Sequence, residues 1–205
     1  MARIGILGGT FNPPHLAHIR LGEDFAKRLN FDKILILPNY LPPHKDDDCL
    51  ADAYDRLNMC RLAIKDNPLF EVCDIEIKRK GKSYSYDTLK ELTKLNPDDE
   101  FFFIIGSDML FSFDKWYRYK DVLKMCRICA ATREDEFSPE QLKKKAEELT
   151  DEPDRIIISK MDAVELSSTQ VREKLSRNED VSSLLNKDVL GYILQRGLYV
   201  GREND

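Results

Sequence analysis

Near the N-terminus the chain reads Gly8-Gly9-Thr10-Phe11-Asn12-Pro13-Pro14-His15-Leu16-Ala17-His18, which combines paired glycines, paired prolines and two histidines three positions apart. Two glycines allow a sharp turn and a close backbone approach to an anion. Pro13 and Pro14 stiffen the chain and prepare a helix start. On that helix His15 and His18 fall in the first turn and share a face. Free N–H groups and a partial positive charge lie beside them. The chemistry this suits is the holding and neutralising of a phosphate. The plainer alternative is a pair of surface histidines after a common turn. The distribution weighs against it, because all three histidines of the chain (His15, His18, His44) fall in loops or helix starts that follow strand-like runs. No Gly-Lys-Ser/Thr follows the glycines, which counts against a P-loop, and no Gly-x-Gly-x-x-Gly is formed.

Other residues with matching chemistry recur after apolar runs. Pro38-Asn39-Tyr40-Leu41-Pro42-Pro43-His44-Lys45 is a stiff loop carrying Asn39, His44 and Lys45. Gly106-Ser107-Asp108 follows another run, with Trp116 and Tyr117 close behind, and Trp116 is the only tryptophan. An indole there either stacks on a flat ring or belongs to the core. Arg133 follows a further run. Ser167-Ser168-Thr169-Gln170-Val171-Arg172 offers hydroxyls and N–H groups at a helix start, with Arg172 one turn in.

These residues need elements to position them. Residues 3–7, 33–37, 71–75, 101–105, 127–131 and 155–158 are short apolar runs bounded by Gly, Pro or Asp, and they predict buried strands. Residues 15–29, 54–64, 86–95 and 139–149 carry helical periodicity. In 54–64 the stripe brings Leu57, Arg61 and Ile64 together, with Leu62 alongside. The alternation predicts an α/β fold: a doubly wound, mostly parallel sheet with helices on both faces. Such sheets bind ligands beyond the C-terminal ends of their strands, where the residues above fall. We expect one domain over 1–205, with an α/β core over 1–166 and a helical part over 167–205.

Composition bounds the class. The 205 residues are 42% hydrophobic and 34% charged, ordinary for a soluble globular domain. A net charge of −5 and the lack of a basic run argue against nucleic acid as a partner. No apolar run reaches membrane-spanning length and the first residues do not read as a signal peptide, so a cytoplasmic protein is expected. The cysteines (Cys49, Cys60, Cys73, Cys126, Cys129) read as reduced thiols. Cys126-x-x-Cys129 lacks a second pair for a metal, and across a strand its members face opposite sides. No metal-ligating set is expected.

Residues 8–18 resemble the (T/H)xGH-type signature of the nucleotidyltransferase superfamily, and Ser167-Ser168-Thr169-Gln170-Val171-Arg172 resembles its ISSTxxR signature. Within it the chain is similar to the bacterial nicotinate-nucleotide adenylyltransferases. That closer match rests on Pro42-Pro43-His44-Lys45, Ser83-Tyr84-Ser85-Tyr86-Asp87-Thr88-Leu89, Ile105-Gly106-Ser107-Asp108 and Trp116-Tyr117. It departs at Ala17, where the family has Gly, and at Ser85, where it has Thr. The resemblance implies a Rossmann-like fold and transfer of AMP from ATP to nicotinate mononucleotide, with Mg²⁺ held mainly by substrate phosphates. It implies that His15, His18 and Arg172 are catalytic. Gly8, Gly9, Thr10, Phe11, Gly106, Asp108, Arg133, Ser168 and Thr169 would join them in binding ATP. Asn39, His44, Lys45, Ser85, Trp116 and Tyr117 would bind the mononucleotide. Small-molecule substrates are the implied partners, and a homo-oligomer is compatible. The rivals are the same chemistry on nicotinamide mononucleotide or phosphopantetheine, and a nucleotide sensor without catalysis.

Overall fold

The computed structural model describes residues 1–42, 49–132, 137–160 and 166–199. The strands are β1 (Arg3–Gly9), β2 (Lys33–Pro38), β3 (Phe70–Val72), β4 (Glu100–Gly106), β5 (Arg127–Thr132) and β6 (Ile156–Lys160). They form one parallel sheet in the order β3-β2-β1-β4-β5-β6. The helices are α1 (Leu16–Leu29), α2 (Ala53–Ile64), α3 (Ile75–Arg79), α4 (Ser85–Leu95), α5 (Ser107–Phe111), α6 (Tyr119–Met125), α7 (Pro139–Leu149), α8 (Ser168–Ser176) and α9 (Lys187–Arg196).

A parallel sheet covered on both sides needs strands apolar on both faces. β4 shows this residue by residue. Phe101, Phe103 and Ile105 pack with Leu89 and Leu92 of α4, Val122 of α6 and Leu142 of α7. Phe102 and Ile104 pack on the other side with Phe25 and Ala26 of α1 and Cys60 and Ile64 of α2. Cys126 and Cys129 fall in these two opposite layers. Burial pushes both thiols upward, Cys129 to about 12, so they stay protonated core groups. Strand order reverses between β1 and β4, so their connections part there and leave a crevice beyond Gly9 and Gly106.

Three local expectations change. First, the strand expected over 71–75 ends at Val72, and Ile75 opens α3. Ile77 is turned onto Ala53 and Leu57 of α2, so its apolar partner is a helix rather than a sheet. Second, α2 has no single apolar stripe: Ala53, Asp55, Arg56, Leu57, Met59, Cys60 and Ile64 are all buried, while Arg61 is exposed. Cys60 and Ile64 meet the sheet, Met59 meets α8 and α9, and Ala53 and Leu57 meet α3. Third, α1 starts at Leu16, with His15 as its N-cap in extended backbone (φ −137°, ψ 169°). After residue 166 the chain is α8, a turn region and α9, packed through Val171, Leu175, Val189 and Ile193 against Met59.

Candidate active site

The residues that follow β1 start the site. Here the structure corrects the expected role of the glycines. Gly8 and Gly9 stay in β1, and the left-handed backbone is taken by Phe11, at φ 50°. What the glycines supply is room. A Cβ on Gly8 would lie 3.0 Å from the Phe103 ring, and one on Gly9 would lie 3.3 Å from the Phe11 ring.

His15 and His18 then stack, with ring centroids 3.6 Å apart and planes inclined by 22°. The Phe11 ring meets His18 edge-on at 5.0 Å. The His15 backbone N–H donates to Nδ1 of His18 at 3.1 Å, which satisfies one of the orphan donors of the helix start. His15 is buried, and its own Nδ1 has no hydrogen-bond partner among the described groups. Burial lowers the His15 pKa to about 4, and burial together with the neighbouring His15 holds His18 well below the usual histidine range. Both rings are therefore neutral at pH 7. A polyanion placed against them would favour their protonated forms.

The start of α8 closes on the same loop. Ser167 caps α8: its hydroxyl accepts from the Gln170 N–H at 3.2 Å, while its own N–H donates to Gln170 Oε1 at 2.8 Å. Ser168, the next residue, donates to the Pro13 carbonyl at 2.9 Å. One turn on, the Arg172 guanidinium donates to the Asn12 carbonyl at 3.0 Å. The N-termini of α1 and α8 thus open onto one cavity, and two imidazoles, a guanidinium and the Thr169 hydroxyl line it.

That cavity, of about 670 Å³, runs along the crevice from Ser168 to Trp116. Its far half is built from the residues after β2, before α4 and after α5. The Ser83 N–H donates to the Leu41 carbonyl at 3.0 Å, and the Tyr40 N–H donates to the Ser83 hydroxyl at 3.0 Å, which joins the first two. Tyr84 is the N-cap of α4 and Ser85 its first residue, so the helix N-terminus faces this half. Trp116 packs edge-on to Phe103 at 5.9 Å and against Phe113 at 4.9 Å, half in the core and half in the cavity wall. Tyr117 lies against Tyr84 at 5.1 Å and Tyr86 at 5.8 Å. Glu76 also lines this half. Burial pushes its carboxyl up, opposed by the hydroxyls of Thr88 and Ser83 and the Arg79 guanidinium.

Gly8, Gly9, Thr10, Phe11, His15, His18, Asn39, Ser85, Gly106, Asp108, Trp116, Tyr117, Ser168, Thr169 and Arg172 all line this one cavity. His44, Lys45 and Arg133 lie outside the described residues. At Gly106 a Cβ would come within 2.5 Å of the Asp108 carboxylate, so glycine lets that side chain fold back over the strand end. Residues that also line the cavity, and that the sequence reading passed over, are Arg20, Asp24, Glu76, Met109 and Thr132. For α1 a signal was present. Ala17, Leu21 and Asp24 stand at i, i+4 and i+7, a stripe that continues from the histidines along the cavity wall. Among the described residues no three of His, Cys, Asp and Glu come together as a metal site.

Comparison with known proteins agrees with this architecture. The sequence profile of the cytidylyltransferase-like family matches residues 6–174. A protein of Lactococcus lactis described as a probable nicotinate-nucleotide adenylyltransferase is 39% identical over 202 residues, covering 98% of this chain and 96% of its own. One of Shewanella frigidimarina with the same description is 39% identical over 210 residues, covering 96% and 99%. Among solved structures, nicotinic acid mononucleotide adenylyltransferase of Plasmodium falciparum, complexed with APC or with NaAD, has a TM-score of 0.77. It covers 97% of this chain and 98% of its own at 19% identity, a likeness of fold. With the profile spanning both signature segments and relatives matched end to end, the chain belongs to the cytidylyltransferase-like family and, within it, to the bacterial nicotinate-nucleotide adenylyltransferases.

Proposed function

We propose that this chain transfers the AMP moiety of ATP to the 5′-phosphate of nicotinate mononucleotide, giving deamido-NAD and pyrophosphate. The observation that carries the reading is the convergence of α1 and α8 on the loop after β1. The stacked His15 and His18 and the bond from Arg172 to Asn12 put cationic and N–H groups around one spot at the crevice. An oxygen of the mononucleotide phosphate attacks the α-phosphorus of ATP in line, a new P–O bond forms, and the bond to the β-phosphate oxygen breaks. The attacking phosphate is already anionic at neutral pH, so the chain needs no general base and forms no covalent intermediate. Its work is to bring two polyanions together and offset charge as it develops.

In this reading His18 donates to the transferred phosphoryl group, with His15 stacked behind it. Arg172, Thr169 and the first N–H groups of α8 hold the β and γ phosphates, and Ser168 shares its hydroxyl between that task and the Pro13 carbonyl. Asp108 holds the ribose or adenine, and Arg133 approaches the triphosphate. Asn39, His44, Lys45, Ser85, Trp116 and Tyr117 take the mononucleotide, with Trp116 against the pyridine ring. The α4 N-terminus beside Ser85 favours a carboxylate over a carboxamide. Mg²⁺ would arrive with ATP, bound by phosphate oxygens and water, since the lining carboxylates Asp24, Glu76 and Asp108 do not come together as a metal site among the described residues and the groups at the α1 and α8 starts suit the phosphates.

The test is pyrophosphate release with ATP and each acceptor in turn. Nicotinate mononucleotide should exceed nicotinamide mononucleotide in kcat/KM by at least about tenfold, and phosphopantetheine should give no release. ATP binding without release for any acceptor would instead support the sensor.

A further inference from the structure

Arg56 of α2 has no exposed surface, yet among the described residues its guanidinium makes no ion pair with a carboxylate. Nη1 donates to the carbonyls of Thr10 and Asn39, both at 2.8 Å, and to Oδ1 of Asn39 at 3.1 Å. Nη2 donates to the Tyr40 carbonyl at 2.8 Å, and Nε to the Ala51 carbonyl at 3.1 Å. One planar group therefore spans the loop after β1, the loop after β2 and the entry to α2. Thr10 and Asn39 both line the cavity.

Arginine can only donate. The Asn39 oxygen must therefore face Arg56, and its amide nitrogen must face the other way. That nitrogen donates to the Thr10 hydroxyl at 3.2 Å. An Asn Nδ2 carries two hydrogens, so a second N–H remains for a further acceptor, on a residue that lines the cavity. We infer that Arg56 is a positioning residue for adenylyl transfer: it fixes the donor loop against the acceptor loop and sets the Asn39 amide so that it presents N–H to an anion. The inference rests on the proposed reading of the cavity. Lysine could not replace this group, because a single ammonium cannot reach Thr10, Tyr40 and Ala51 at once.

Two substitutions and one spectrum test it. Arg56→Lys should lower kcat at least 30-fold while the KM for ATP stays within threefold, because each loop survives and their mutual register does not. Asn39→Asp gives Arg56 a carboxylate partner, so its Tm should match or exceed the wild type. It should nevertheless lose at least 100-fold in kcat/KM for nicotinate mononucleotide, since a donor has become an acceptor. In ¹⁵N-labelled protein the two Asn39 side-chain N–H signals should be displaced from the free-amide pair and exchange slowly with water, and both should move toward the free-amide pair in Arg56→Lys. The inference is overturned if Asn39→Asp keeps near-wild-type kinetics, if Arg56→Lys raises both KM values in proportion to a fall in Tm, or if the Asn39 signals do not change. Asn39→Asp decides alone if Arg56→Lys does not fold. An inactive wild type would sink the proposed function, and the Asn39 signals would still test the positioning.

Discussion

The backbone N–H of His15 occupies Nδ1 of His18 at 3.1 Å, so a neutral His18 carries its proton on Nε2. The helix start thereby selects the tautomer, and the ring offers a donor on the side away from the backbone. Substitutions can separate the two duties of this ring. His18→Asn retains an oxygen for the His15 N–H and loses the Nε2 donor. Its kcat should fall by about 10²–10⁴-fold with Tm within about 2 °C of wild type. His18→Ala loses both and should add about 1 kcal/mol of destabilisation. Steady-state kinetics and thermal melts read the two effects, and near-normal turnover in either variant would sink the mechanism.

The histidine pair also predicts a pH dependence of stability. The folded-state His15 pKa, about 4, lies below the unfolded value of 6.5, and His18 is shifted in the same direction. Between those values the unfolded chain binds more protons, so stability falls as pH falls through 6.5 toward 4. For His15 alone the full loss is about 3 kcal/mol. Urea melts from pH 7 to pH 4.5 should show this decline, and His15→Asn should flatten it. Saturating ATP should also oppose it, because the phosphates favour the charged rings.

Trp116 has two roles to disentangle, since it packs on Phe103 and Phe113 and also lines the cavity. Trp116→Ala should cost about 2 kcal/mol in a denaturant melt, less than a fully buried ring because only part of the indole packs in the core. It should also raise the KM for the mononucleotide far more than the KM for ATP. Trp116→Phe should recover most of the stability and part of the KM. Equal effects on both substrates would mark Trp116 as core alone.

Arg172→Ala should lower kcat/KM for ATP by about 10²-fold or more, through lost phosphate contact and a loosened Asn12. Arg172→Lys should recover only part of it, because a point charge replaces a planar fork. Isothermal titration with ATP and initial rates would show whether binding and turnover fall together.

Much of the sheet was legible because a buried parallel strand leaves a compact apolar run, and the runs around Ile6, Ile36, Phe103 and Ile128 were unambiguous. The edge was not. Around Val72, Ile75 and Ile77 the alternation fits a strand or a short helix alike, and packing of Ile77 on α2 decides it. The site was legible at the ends of α1 and α8, where histidines, hydroxyls and Arg172 stand at helical spacing. The sharp turn expected at the glycines falls two residues later, because Gly8 and Gly9 continue β1 and Phe11 takes the left-handed backbone. Arg56 was invisible for a different reason. Its partners Thr10 and Asn39 lie 46 and 17 positions away, and no local pattern announces a guanidinium that bonds to carbonyls.

Ser168 reaches back 155 positions to Pro13, and the Tyr199 hydroxyl reaches back 187 positions to Oδ1 of Asn12. The loop after β1 is therefore made long before the residues that fasten it. At roughly 5–20 residues per second, about 10–40 s separate the synthesis of Asn12 from that of Tyr199. Until Tyr199 has followed, the loop after β1 lacks the bond at Asn12, so the site takes its full set of fastenings only after α9 has been made.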